Sequence, residues 1–134
     1  MKTPDVSCKI DAFCSIHPSE DTEKVKQALS NILVYTNITI NKESIKVTSS
    51  NLESLQKIYE SIHLHQSANS YRRQLNQNLN ENSSWFYLNK QAAYSNIVAL
   101  CSESDESPLG PIKIVLNSSD IDRIIDWLTF NHKQ

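Results

Sequence analysis

The sequence predicts an α+β fold in two layers, a mostly antiparallel or mixed sheet with helices packed on one face. Three observations carry that expectation. Val6, Cys8, Ile10, Ala12, Cys14 and Ile16 alternate with Ser7, Lys9, Asp11, Phe13 and Ser15, the period of a long strand with one buried face. Further along, apolar residues recur at helical spacing, as in Val25, Ala28, Leu29 and Ile32. Strand patterns return in the last third, and strands at both ends with helices between them favour a sheet covered on one side only.

Each element has its own signal. His17-Pro18-Ser19-Glu20-Asp21 ends the first strand, and Ser19 or Asp21 can cap the helix that follows, with Glu20, Asp21 and Glu23 suited to its positive end. Ile38 and Ile40, then Ile45 and Val47, read as two short strands joined through Asn41-Lys42-Glu43. Ser50-Asn51-Leu52-Glu53 has capping-box spacing and opens a helix bearing Leu52, Leu55, Ile58, Tyr59 and Ile62. Another helix is expected from Ser67, with Ala68, Tyr71, Leu75 and Leu79 inward, dissolving into the polar run Asn76 to Ser84 as a frayed loop. Trp85–Asn89, Ile97–Cys101 and Ile112–Leu116 read as strands. Ser107-Pro108-Leu109-Gly110 suits a tight turn, and Pro111 sits where a strand begins and its missing N–H does least harm. Ser119-Asp120-Ile121-Asp122 caps a last helix with Ile121, Ile124, Ile125 and Leu128.

Composition narrows the function classes. The 134 residues suit one domain spanning 1–134, large enough to bury about two thirds of its unfolded surface without disulfide or metal. The first five residues lack the apolar segment of a signal peptide, and no apolar run approaches the ~18 residues of a membrane span. The expectation is a cytoplasmic protein with no membrane contact. Cys8 and Cys14 are too far apart along one strand to be bridged, so reduced, buried thiols are expected. Gly110 is the only glycine. Gly-rich phosphate loops, dinucleotide fingerprints and the GxxG nucleic-acid clamp are therefore absent, and no cofactor is expected. With a formal net charge of −2, any nucleic-acid role must rest on a local basic patch.

Phe86-Tyr87-Leu88-Asn89-Lys90-Gln91-Ala92-Ala93 and Glu106-Ser107-Pro108-Leu109-Gly110-Pro111-Ile112 resemble segments of an archaeal family of predicted RNA-binding, exosome-subunit-like proteins. Ile16-His17-Pro18-Ser19-Glu20-Asp21 and Ile125-Asp126-Trp127-Leu128 are similar as well, so the resemblance runs in order over nearly the whole chain. It implies a fold similar to the large-subunit ribosomal protein that binds 5S RNA, and it implies RNA as the ligand. It also implies a basic helix in the middle, where this chain keeps only Arg72 and Arg73 after the neutral stretch His63–Ser70.

Asn89, Lys90 and Gln91, with Arg72, Arg73 and Lys113 as outliers, form the candidate RNA-binding set. Cations meet phosphates, and aromatic rings beside them stack on unpaired bases. The plainer alternative is that Asn89 and Lys90 only end a strand and turn the chain. The acidic residues Glu103, Asp105 and Glu106 lack the ligand spacing of a calcium loop. His63 and His65 diverge on a helix and make a poor metal pair. No motif sets a nucleophile beside His17, so no enzyme is expected. The expected partner is structured RNA. The alternative is a homodimer through the open sheet face, which by alternation carries Lys9, Phe13, Lys113 and Val115, and Trp85, Tyr87 and Asn89 if their strand is in register.

Overall fold

The computed structural model describes residues 2–102 and 109–130. Its centre is a six-stranded sheet in the order β2-β3-β1-β6-β4-β5, antiparallel at every pairing. The strands are β1 (Lys9–Ser15), β2 (Asn37–Ile40), β3 (Ser44–Ser49), β4 (Ser83–Asn89), β5 (Leu100–Cys101) and β6 (Pro111–Asn117). The helices are α1 (Thr22–Ile32), α2 (Gln56–Leu64), α3 (Ala68–Gln77), α4 (Lys90–Tyr94) and α5 (Ile121–Leu128). One sheet face, with Ile10, Ala12, Cys14, Ile45, Val47, Phe86, Leu88, Ile112, Ile114 and Leu116, shares a single core with the apolar stripes of α1, α2, α3 and α5. The expected α+β fold with helices on one side is what the chain forms.

Local chemistry fixes the boundaries. Asp21, not Ser19, caps α1 by accepting from the Glu23 N–H. Asn51, rather than Ser50, takes the cap before α2, accepting from the Glu53 N–H, and a 3₁₀ turn at Leu52–Leu55 leads into the helix. α3 stops at Gln77, so Leu79 lies beyond it and is exposed. The polar stretch after it is a tight reversal rather than a frayed loop: Asn80 and Ser83 exchange backbone hydrogen bonds across Glu81, whose φ is +56°.

Two expectations needed correction between β4 and β5. Asn89 does more than end a strand: its side chain accepts from the Ala92 N–H and starts α4. The apolar residues Ile97 and Val98 are not strand, because Asn96 adopts φ +63° and the Asn96 and Ile97 N–H groups return to the Ala93 and Ala92 carbonyls. That is the left-handed helix stop, and it leaves β5 only two residues. The acidic segment at 103–106, together with Ser107 and Pro108 of the expected turn, lies outside the described residues. Gly110 is described and has φ +82°.

Candidate nucleic-acid interface

Among the described residues the second sheet face contributes nothing to the helix-covered core, and strand register decides what it displays. Phe13 stands opposite Lys46 on one side and Lys113 on the other, and Lys113 stands opposite Tyr87. Thr39 is opposite Lys46. One row across five strands therefore reads Thr39, Lys46, Phe13, Lys113, Tyr87, with cations and rings alternating. The next row reads Asn37, Thr48, Asp11, Val115, Trp85.

The side chains of these rows touch. The Lys113 ammonium lies 4.6 Å from the centre of the Trp85 ring, and the Lys46 ammonium lies 5.2 Å from that of Phe13. Phe13 is exposed, and Trp85 and Tyr87 are half-buried. Asp11 is the acidic residue of the strand positions on this face, and it is buried, accepting from the Thr48 hydroxyl at 2.7 Å with Lys9 at 3.9 Å. Lys9, Lys46 and Lys113 thus outnumber it on this face, so the acidic excess of the chain lies elsewhere.

The six candidates do not converge. Lys113 is in the cation–ring row. Asn89 is the α4 cap, and Gln91 is exposed on that helix. Arg72 and Arg73 sit on α3, in the helical layer behind the sheet, where Arg72 pairs with Asp126 at 2.9 Å. Lys90 corrects the expectation most sharply, for its side chain is wholly buried. Its ammonium donates to the carbonyls of Ser15 and Leu109, each at 2.7 Å, and to Glu20 at 3.0 Å. A phosphate cannot reach it. Lys46 is the cation that sequence reasoning passed over. The signal was present, because Ile45 and Val47 facing the core put Lys46 on the other side.

The buried ion pair joins segments far apart in sequence. Glu20 also accepts from the Tyr94 hydroxyl at 2.6 Å and the His17 N–H at 2.8 Å. Burial opposes ionisation of Glu20, but these donors and the Lys90 ammonium outweigh it and hold the carboxyl below its ordinary value. Burial and the Glu20 charge push the Tyr94 phenol upward. Burial raises the Cys14 thiol to about 11, partly offset by Lys90. The motif segments 16–21, 86–93 and 106–112 meet here through Glu20, Lys90 and Leu109, so what they share is a structural knot. Among the described residues no group of His, Cys, Asp and Glu could hold a metal ion, and no helix is long and apolar enough to cross a membrane.

Comparison with known proteins gives one consistent result. A family model described as RNA binding matches residues 9–118. A UPF0201 protein of Sulfurisphaera tokodaii is 36% identical over 125 residues, covering 90% of this chain and 86% of its own. One from Methanothermobacter thermautotrophicus is 36% identical over 122 residues, covering 90% and 89%. The crystal structure of the UPF0201 protein from Methanococcus jannaschii superposes with a TM-score of 0.75 at 26% identity, over 93% of this chain and 95% of that one.

Proposed function

The chain belongs to the archaeal UPF0201 family, whose matching family model is described as RNA binding, and we propose that it binds RNA without catalysis through the open face of its sheet. The observation that carries this reading is the row Lys46, Phe13, Lys113, Tyr87 with Trp85 beside it. An antiparallel sheet with aromatic rings on its open face offers platforms for unpaired bases, and lysines between the rings meet the phosphates that link those bases. In the free protein each ammonium rests on a ring, a contact worth about 0.5–1 kcal/mol at exposed sites. A base stacking on Phe13 or Trp85 displaces the lysine from the ring and leaves its flexible stem to turn toward a phosphate. The preferred ligand is accordingly RNA with unpaired segments, such as the loops of a structured RNA, rather than an uninterrupted duplex.

The same face disfavours the homodimer alternative. Two copies packed face to face would take Lys9, Lys46 and Lys113 out of water, and burying charges without partners is costly.

Fluorescence anisotropy with a labelled single-stranded RNA and a blunt duplex of equal length tests the reading. Phe13→Ala and Trp85→Ala should each weaken single-strand binding about 5- to 150-fold, the equivalent of ~1–3 kcal/mol per stacked base. Arg73→Ala, in the helical layer, should change little. Equal losses for Arg73→Ala and Phe13→Ala would move the interface to the helices, and duplex preference would remove the stacking argument.

A further inference from the structure

The row of cations and rings ends at Thr39 on β2, which is an edge strand of the sheet. We infer that the outer edge of β2 pairs antiparallel with the same edge of a second copy of this chain, with Thr39 opposite Thr39 of the copy at the two-fold axis. The inference rests on β2 itself and not on RNA binding.

Apart from its short length of four residues, β2 lacks, among the described residues, the devices that keep edge strands from pairing. Asn37-Ile38-Thr39-Ile40 carries no charge and no proline, and all four residues are exposed. Sheet edges are ordinarily protected by lysines, prolines, bulges or a covering segment. Ile38 and Ile40 stand opposite Val47 and Ile45 on the core side of the sheet, yet they are 36% and 45% exposed. The apolar face of the sheet therefore runs one strand past the cover that the helices give it.

The backbone groups fit a two-fold partner. The Asn41 N–H donates to the Ser44 carbonyl at the hairpin. In an antiparallel ladder the residues bonded to the neighbouring strand alternate, so Asn37, Thr39 and Asn41 turn toward β3, while the N–H and C=O groups of Ile38 and Ile40 point outward. With Thr39 on the axis, Ile38 of each copy meets Ile40 of the other. Those outward groups then close four backbone hydrogen bonds, and each isoleucine packs on an isoleucine. Asn37 meets Asn41. Lys42 and Glu43 fall opposite Thr36 and Tyr35, so no like charges are opposed. The axis also joins two Thr39-to-Tyr87 rows end to end on one surface.

Cysteine placement tests the register. Facing residues of this kind have Cα atoms about 4.5 Å apart, within disulfide range, and the native Cys8, Cys14 and Cys101 are all buried. Mild oxidation of Thr39→Cys should give a disulfide-linked dimer, whereas Asn37→Cys, which faces Asn41 of the copy, should remain largely uncrosslinked. Sedimentation of the unmodified protein should show a concentration-dependent dimer. Thr39→Lys sets two ammonium groups against each other and should raise its dissociation constant at least tenfold, with the circular dichroism spectrum unchanged. A strictly monomeric unmodified protein, or crosslinking as efficient through Asn37→Cys as through Thr39→Cys, would overturn the inference.

Discussion

A lysine taken out of water costs several kcal/mol unless its ammonium is fully paired, and Lys90 has three acceptors for its three protons. The stem of Lys90 reaches through the core side of the domain to tie the end of β1, the loop before α1 and the turn before β6. Breaking such a pair by neutralising one partner leaves the other charged and buried, which costs roughly 3–5 kcal/mol. Glu20→Gln should fall near the lower end, since an amide oxygen still accepts from Lys90. Its pH dependence separates this charge effect from simple repacking. Glu20 is held below its ordinary value in the fold, so its contribution is complete above the unfolded carboxyl value near 4.5 and is lost as pH falls through the lower folded value. The melting-temperature gap between native protein and Glu20→Gln should thus be widest near neutrality and narrow steadily below pH about 4.5. A gap independent of pH would mean that the carboxylate charge contributes nothing.

The turn before β6 shows how an element depends on one backbone conformation. Gly110 holds φ +82°, and a Cβ built there would lie 3.2 Å from the Ser15 hydroxyl. A side chain is strained at such a φ and would also press on the β1 end that Lys90 holds. Gly110→Ala should therefore cost more than the ~1 kcal/mol that compatible Gly/Ala exchanges change, read as a lowered denaturant midpoint with an unchanged slope; a change near zero would show the turn relaxing freely. Elements with long regular patterns were legible in the sequence. β1 and β3 place their apolar core residues at every second position, a period-two signal that defines both strand and face, whereas the unbroken apolar runs Trp85-Phe86-Tyr87-Leu88 of β4 and Ile114-Val115-Leu116 of β6 show strand without face. α4 was not legible, because five residues are too few to show a helical period. Ile97 and Val98 looked like strand for the opposite reason, since β-branched residues can serve equally to finish a helix stop. The burial of Lys90 was invisible because its acceptors come from residues 15, 20 and 109, a convergence that only the assembled fold creates. Trp85 and Tyr87 could be assigned to the open face only once the β4–β6 register was fixed.

At the scale of the whole molecule, net charge −2 means that the proposed binding of a polyanion has to use a region smaller than the whole surface. Lys9, Lys46 and Lys113 share the open face with the single buried Asp11 among its strand positions, and the Lys9 side chain is 58% exposed. On the helical layer Arg72 is held in a pair with Asp126, and acidic residues such as Glu23, Asp122 and Asp126 stand among its cations. The salt dependence of RNA binding counts the cations that take part. Each phosphate neutralised on a single strand contributes about −0.7 to the slope of log K against log salt. Three engaged lysines should therefore give a slope near −2, much shallower than that of a strongly basic binder. Lys46→Ala and Lys113→Ala should each flatten the slope by about 0.7, with melting temperatures lowered only slightly, because each half-buried lysine loses little beyond one ring contact worth about 0.5–1 kcal/mol. Arg72→Ala with Arg73→Ala should leave it as it was. A slope much steeper than −2, or one flattened by the arginine pair and not by the lysines, would place the phosphate contacts on the helices and show that the alternation of charge and ring across the sheet plays no part in binding.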